Sequence, residues 1–270
     1  MSTALMAQYA LTDDELQVVG ARTEVGDFPT VLAVRPRHDP TDALHAAFDR
    51  ATRALMARGL IADGSVAPDL ASLVRALHRP DRELAMRTVT PEGITRVSTV
   101  RQGSLGVLAR RVRNEFVLRT IGHGAELRAA THALLAELPR MEPARIEPVG
   151  APLEAMTECL DGAGDAPQLA DQIRAQGIEP RSAMLLGSAL SARMAFSEIV
   201  YNPLARDEDR ISRCPAAVAV FYTKRGRIVA APSASPTGEL WITLKAGSDH
   251  MIAQAVGQLI GLCAERWEDV

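Results

Sequence analysis

Two segments of the chain carry the same pattern, and this duplication constrains the fold more than any other feature. Residues 116–122 and 241–247 each predict a short strand that ends in glycine and leads into a helical pattern of apolar residues. At one constant offset Gly122 corresponds to Gly247, and the apolar helix positions correspond as well. A duplicated unit of strands followed by a helix predicts a domain with pseudo-twofold symmetry, built from two related halves.

Composition and charge favour an ordinary globular protein. The 270 residues suffice for one large domain or two small ones, and 47% are hydrophobic while 23% are charged. The net charge of -3 argues against a nucleic-acid binder, which needs a basic face. We therefore expect no nucleic-acid partner.

Targeting signals and cysteine usage suggest where the protein works. No apolar run approaches the roughly 20 residues that a membrane-spanning helix needs. Residues 1–10 have neither a basic start nor a long apolar segment, so we expect no secretory signal. Cys159, Cys214 and Cys263 are widely separated, which suits a reduced compartment and gives no spaced metal motif. These features predict a cytoplasmic protein.

The N-terminal part predicts helices followed by an antiparallel meander. Thr12 and Glu15 form a capping box, which predicts a short helix that buries Leu16 and Val19. The run 30–34 predicts a compact buried strand. Two amphipathic helices follow, the first ending at Gly59 and the second at Pro80. Strands are predicted at about 83–89, 94–101, 104–110 and 115–121, before a helix at about 124–138.

The C-terminal part repeats this order after a proline-rich connection over 139–152. Residues 153–191 predict helices interrupted near 162–165 and 177–180. A second meander is predicted at about 193–201, 215–223, 226–232 and 239–245, followed by a helix at about 248–265. The charged segment 202–213 predicts a loop without an apolar anchor.

The sequence contains no motif that specifies a reaction. It lacks a phosphate-binding glycine loop, a dinucleotide fingerprint and a nucleophile elbow. His45 and Asp49 are only two ligands on one predicted helix face. Arg213 beside Cys214 would lower a thiol pKa, but a strand-edge cysteine without a role is the simpler interpretation. We expect no catalytic residue, no metal site and no cofactor.

The order of several short segments resembles one known family. The resemblance covers nearly the whole chain in order, and the segments that carry it are 11–16, 28–32, 58–60, 69–73, 79–80, 226–229, 238–242 and 247–249. In these segments the chain is similar to the EspG proteins, cytosolic chaperones of mycobacterial type VII (ESX) secretion.

This resemblance implies a fold and a function. It implies an α/β fold of the α+β type, with a central antiparallel sheet, flanking helical bundles and a pseudo-twofold. Residues 1–270 would form a single domain, with halves at about 1–140 and 153–270 and the connection at about 139–152. EspG proteins are not enzymes. They bind the helical tip of a PPE protein, paired with a PE protein, and keep that apolar tip soluble until secretion.

The partner-binding residues are predicted from the second meander and from two loops. On the strand 193–201, Met194, Phe196, Glu198 and Val200 share one face, and both faces of this strand are partly apolar. A docking surface and a strand buried on both faces are both open interpretations. The predicted binding residues are Thr90, Pro91, Glu92, Phe196, Glu198, Val200, Tyr201, Asp207, Phe221 and Tyr222.

Two other functions stay open at the level of sequence. One is a hydrolase or small-molecule-binding enzyme with its site between the two halves. The other is a structural or dimerising α/β protein, and a homodimer is compatible with either function. A deep pocket with converging polar groups would favour the enzyme, and a broad shallow face would favour the chaperone.

Since no set of three metal ligands is recognisable, the purified protein should carry no stoichiometric metal. Elemental analysis of protein purified without chelators should find far less than one equivalent of any transition metal. One tightly bound zinc ion per chain would overturn this prediction.

Overall fold

Helices packed on a large antiparallel sheet make up the computed structural model, which describes residues 8–35, 38, 41–123, 126–162, 164–205 and 210–269. The predicted α+β fold with an antiparallel sheet is confirmed. The chain divides into two compact units. The first unit comprises the residues up to Ala85 and Thr95–Leu134, and the second comprises Met86–Ile94 and Leu135–Asp269.

The first unit contains the predicted capping box, helices and meander. Thr12 accepts a hydrogen bond from the Glu15 amide while the Glu15 carboxylate accepts one from the Thr12 amide, and both Leu16 and Val19 are buried. The strand order is β1-β7-β6-β5-β4. The elements are β1 (Gln8–Thr12), α1 (Asp13–Arg22), α2 (Thr41–Ala57), β2 (Ile61–Ala62), β3 (Ser65–Val66), α3 (Pro68–His78), β4 (Arg82–Thr90), β5 (Gly93–Gln102), β6 (Leu105–Val112), β7 (Glu115–His123) and α4 (Leu127–Leu135).

The strand predicted over residues 30–34 is wrong. Thr30–Leu32 form a single 3-10 turn, and Ala33 follows in the left-handed conformation with φ 50°. Arg111 donates hydrogen bonds to the carbonyls of Leu32 and Ala33, so side chains satisfy backbone groups that a ladder would otherwise pair. Arg111 also bonds the buried Asp13 carboxylate at 2.8 Å. This loop is therefore held by an arginine rather than by strand pairing.

One face of the first unit's sheet is covered by α1, α2 and α3. The apolar faces of these helices supply one side of the core, and apolar residues of β1, β5, β6 and β7 supply the other side. The largest fully buried members include Leu11, Leu16, Leu55, Leu70, Leu73, Leu77 and Phe116. Burial of each such side chain stabilises the fold by about 1.5–3 kcal/mol.

The second unit contains the predicted helices and the second meander, in the strand order β4-β9-β11-β12-β13-β8. Its elements are β8 (Val149–Pro152), α5 (Leu153–Gly162), α6 (Ala166–Ala175), α7 (Pro180–Ser191), β9 (Arg193–Ala205), β10 (Arg210–Ile211), β11 (Val218–Thr223), β12 (Gly226–Ala234), β13 (Leu240–Ala246) and α8 (Asp249–Gly261). The second part of β4, from Met86 onward, belongs to this unit.

Two parts of the second unit differ from the sequence-based expectation. The predicted connection contains β8, which pairs along β13. The predicted loop 202–213 is a loop only in part, because β9 continues to Ala205 and β10 pairs back onto Leu204 and Ala205. Residues 206–209 lie outside the described residues. Charged composition hid this hairpin, whose backbone pairing needs no apolar anchor.

Both faces of the second unit's sheet carry helices. Helices α5, α6 and α7 pack against one face, where Phe221, Ile228 and Ala230 belong to the same apolar core as the three helices. Helix α8 packs against β12, β11 and β9. Because neighbouring side chains on a strand point to opposite faces, Val220 and Val229 lie on the α8 face.

The two glycines of the sequence repeat meet different requirements. Gly122 has φ 121°, a conformation that other residues rarely adopt, and has open space around it. At Gly247 a Cβ would meet the Arg227 carbonyl at 2.8 Å, so the limit there is close backbone approach. The pseudo-twofold relation between the halves stays a prediction.

A glycine also allows α6 and α7 to approach closely, and this generates a stability prediction. A Cβ at Gly187 would lie 2.8 Å from the Ala166 carbonyl oxygen and from the Ala170 Cβ. Gly187→Ala should therefore lower the free energy of unfolding by about 1–3 kcal/mol, because the helices must separate. Chemical denaturation followed by circular dichroism measures this change.

The matched control is Gly257→Ala in α8, where no atom lies within 4 Å of the added Cβ. That variant should be unchanged or more stable by about 0.5–1 kcal/mol, since alanine is the better helix former. If Gly187→Ala proved as stable as Gly257→Ala, the close packing of α6 on α7 would be contradicted.

Candidate partner-binding site

Strand β9 has one closed face and one partly open face. Ser197, Ile199 and Tyr201 are buried, whereas Phe196 and Val200 are only half-buried. The register with β11 sets Ile199 opposite Val218 and Phe196 opposite Phe221. Of the two interpretations left open by the sequence, a strand buried equally on both faces does not describe β9.

The position of β4 beside β9 is marked by two buried hydroxyls. Thr88 and Ser197 are 1% and 0% exposed, and their hydroxyl oxygens are 2.7 Å apart. On the opposite face Arg87 approaches Glu198, with 4.0 Å between guanidinium and carboxylate. Between these two contacts the residue number falls by one on β4 and rises by one on β9, so the strands are antiparallel. The same register brings Val89 towards Phe196.

An exposed strip results on the open face, formed by Arg87 and Val89 on β4 and by Met194, Phe196, Glu198 and Val200 on β9. We call it the β9 strip. Val89 is 38% exposed and Met194 44%, which are high values for large apolar side chains within a sheet. Arg213, which follows β10, completes the strip, with 3.7 Å between its guanidinium and the Glu198 carboxylate. The strip therefore combines apolar area with two guanidinium groups and one carboxylate.

Three predicted binding residues lie inside the protein. Phe221 belongs to the core under α5–α7, and its ring centroid is 5.4 Å from that of Phe196. The buried Tyr201 hydroxyl donates a hydrogen bond to the Glu265 carbonyl at 3.0 Å, and its ring packs against Trp267. Burial raises the pKa of the Tyr222 phenol, an effect that the nearby Ser197 and Arg227 only partly oppose. Their part in partner binding stays a prediction.

The turn between β4 and β5 carries three more predicted residues. Thr90 is half-buried, whereas Pro91 and Glu92 are exposed. The Thr90 hydroxyl donates to the Gly93 carbonyl at 3.3 Å. Hydrogen bonding from Thr90 and from its own backbone amide lowers the pKa of the Glu92 carboxyl. The predicted residue Asp207 lies outside the described residues.

Sequence reasoning did not find Arg87, Val89 or Arg213 as members of the site. The alternation on β4 was available as a signal, since Arg87 and Val89 lie on the face opposite Met86 and Thr88. What the sequence does not carry is that β4 lies next to β9, because this pairing joins residues more than a hundred positions apart.

Cysteine usage does not support the reduced compartment that the sequence predicted, because the three cysteines are not separate thiols. Cys214 and Cys263 form a disulfide with Cα atoms 5.9 Å apart, whereas Cys159 is free and buried. The wide sequence separation hid this pair, because β9, β10 and α8 bring the two residues together only in the folded chain. A disulfide sulfur is not a thiolate nucleophile, so the pair removes the one candidate nucleophile considered.

Other kinds of site find little support within the described ranges. No group of three histidine, cysteine, aspartate or glutamate side chains there could hold a metal ion. A cavity of about 490 Å³ is lined by Arg145, Glu147 and Glu179, among others. Hydrogen bonds from the Arg181 and Ser182 amides lower the pKa of the Glu179 carboxyl, whereas a general acid needs a raised pKa.

Comparison with known proteins assigns this fold. The structure matches that of the Mycobacterium tuberculosis type VII secretion system chaperone EspG5, solved in complex with a PE25–PPE41 dimer, with a TM-score of 0.81. The match covers 97% of this chain and 99% of EspG5 at 17% sequence identity. The fold is therefore the one found in a type VII secretion chaperone. In the described part of the chain no helix is long and apolar enough to cross a membrane.

Sequence comparison identifies the family. The EspG family model matches residues 12–258, so the chain belongs to the EspG family. It is 27% identical to the ESX-1 secretion-associated protein EspG1 of Mycobacterium tuberculosis, over 96% of this chain and 89% of EspG1. It is also 27% identical to the ESX-3 secretion-associated protein EspG3 of Mycolicibacterium smegmatis, over 92% and 85% of the two chains. The resemblance inferred from short segments is confirmed.

The buried tyrosines generate a paired prediction. Tyr201→Phe removes the hydrogen bond to the Glu265 carbonyl and should lower the free energy of unfolding by about 1 kcal/mol. The Tyr222 hydroxyl lies near Ser197 and Arg227, but neither meets the geometry of a hydrogen bond. Tyr222→Phe should therefore leave the free energy of unfolding unchanged or raise it slightly, because an unpaired buried hydroxyl is costly.

Thermal and chemical denaturation of the two variants side by side test this difference. Because both changes delete one hydroxyl from a buried ring, each variant is the control for the other. Equal losses of stability would contradict the hydrogen bonding described for the two rings.

Proposed function

We propose that this protein is a cytosolic chaperone that binds the helical tip of a cognate PE–PPE heterodimer, keeps the tip soluble and delivers the pair to an ESX secretion system. It acts by binding and not by catalysis. In this proposal residues 1–270 work as a single EspG-like domain.

The observation that carries the proposal is the β9 strip. A sheet strand between two other strands is normally covered on both faces, and a large apolar side chain left open there is a feature to be explained. Val89 and Met194 are exposed beside the half-buried Phe196 and Val200. An apolar helical tip laid on this strip would cover all four side chains.

The relatives support a PE–PPE pair as the partner in this proposal. EspG5 has the same fold and was solved with a PE–PPE dimer, and the similar EspG1 and EspG3 are secretion-associated proteins. A helical tip with an apolar end is prone to aggregate when it is exposed alone. A chaperone that covers this end until secretion prevents aggregation without any chemical step.

Co-expression tests the function directly. The chain is produced together with candidate PE–PPE pairs, and size-exclusion chromatography with light scattering gives the mass of each complex. The proposal expects a stable complex with at least one pair, and the chain alone reports whether a homodimer forms. A chain that binds none of the pairs encoded beside its secretion system would contradict the proposal.

A charge within the β9 strip should prevent docking. Met194→Asp places a carboxylate at the end of the strip, four residues away from Glu198 and its two arginines, where an apolar tip would cover it without a partner. An unpaired buried charge costs about 3 kcal/mol or more, which is about a hundredfold in Kd. Calorimetry or surface plasmon resonance with the cognate pair measures this loss.

The control is Met56→Asp, which places the same carboxylate on an apolar side chain of α2 that is 54% exposed, in the other unit. This variant should bind like the wild type. Circular dichroism must show that both variants are folded. A folded Met194→Asp variant with wild-type affinity would move the docking surface away from the β9 strip.

A further inference from the structure

Among the described residues, the charges of the β9 strip are not balanced. Glu198 lies between two guanidinium groups, with 4.0 Å to Arg87 and 3.7 Å to Arg213. Both distances exceed the range of about 2.7–3.2 Å for a hydrogen bond, so each contact is a loose ion pair. The side chains of Arg87 and Arg213 are 47% and 67% exposed, whereas that of Glu198 is 33% exposed.

The two arginines therefore keep donors for a ligand. Among the described residues neither guanidinium makes a hydrogen bond, and two cations share a single carboxylate. Some other arginines are committed to the fold, as Arg111 is by its bond to the Asp13 carboxylate at 2.8 Å. Arg87 and Arg213 differ from Arg111 because their donors point to the surface beside exposed apolar side chains.

An apolar partner alone would fit this surface poorly. Covering Val89, Val200 and their neighbours removes water from the adjacent guanidinium groups as well. A cation that loses water without gaining a counter-ion is strongly destabilised. A basic partner residue would add a third positive charge. A carboxylate balances the charges and accepts two parallel hydrogen bonds from a guanidinium.

We propose that the partner's docking segment carries an acidic side chain that binds between Arg87 and Arg213, beside the apolar residues that cover Val89 and Val200. This rests on the proposed function and adds to it the chemistry of the segment. The apolar contact supplies most of the affinity. The carboxylate sets the orientation and selects among partners with similar apolar tips.

Charge reversal tests the proposal. The double variant Arg87→Glu/Arg213→Glu is compared with the wild type for binding the PE–PPE pair that co-elutes with the wild type. The association rate at low salt should fall about tenfold or more, because the attraction becomes repulsion. The salt dependence should also reverse, with added salt accelerating the variant and slowing the wild type.

Two further variants separate the local charge of Arg87 and Arg213 from the net charge of the protein and from the shape of the guanidinium group. Arg174→Glu/Arg181→Glu changes the net charge equally on the exposed surfaces of α6 and α7, and it should keep the wild-type rate. Arg87→Lys/Arg213→Lys keeps the charge but loses the planar guanidinium fork. It should associate at the wild-type rate and dissociate faster.

The partner side supplies the decisive experiment. Each acidic residue of the PPE tip is changed to lysine in turn, and one such change should restore association of the Arg87→Glu/Arg213→Glu variant. The proposal is overturned if this variant binds with the wild-type rate and salt dependence, or if no lysine change restores its binding. Failure of the wild type to bind any pair would instead reject the proposed function, and this inference with it.

Discussion

The contact between the Thr88 and Ser197 hydroxyls is the constraint on which the candidate site depends. Side chains alternate along a strand, so a buried contact at one position decides which neighbours reach the other face. With Thr88 and Ser197 2.7 Å apart inside the protein, Arg87 and Glu198 must point outward together. A slip of one residue on either strand would bury a charge and expose a hydroxyl. The register therefore positions both the apolar and the charged parts of the β9 strip.

Arginines have a larger structural part than their abundance in the sequence suggests. Arg111 holds the 30–34 loop through its carbonyls and pairs with Asp13, and Arg227 bonds the Gly247 carbonyl and the Asp249 carboxylate at the start of α8. In both places a guanidinium satisfies backbone groups that no strand pairs. Arg87 and Arg213 differ from these arginines, since neither makes a hydrogen bond within the part of the chain that the structure describes.

The candidate site combines a rigid support with an open surface. Phe196 packs beside Phe221, its neighbour on β11 on the same face, which belongs to the core under α5–α7. Tyr201 holds the opposite face of β9 against the segment that contains Trp267. A surface supported in this way keeps its shape before the partner arrives, which reduces the entropy lost on binding. From the sequence alone, the buried Tyr201, Phe221 and Tyr222 could not be distinguished from aromatic residues of a binding surface. An aromatic residue is equally suited to an interface and to the core beneath it.

Local patterns in the sequence determined the helices, both meanders and the capping box, because each depends on residues close together in the chain. The order of short segments also identified the family, although no single segment did. Tertiary structure alone decided that residues 30–34 form a turn, that Cys214 meets Cys263 and that β4 lies beside β9. These features arise from contacts between residues far apart in the chain, whose pairing leaves no periodic signal in either partner. The β9 strip belongs to this second group, since two of its three charged groups, Arg87 on β4 and Arg213 after β10, come from outside β9.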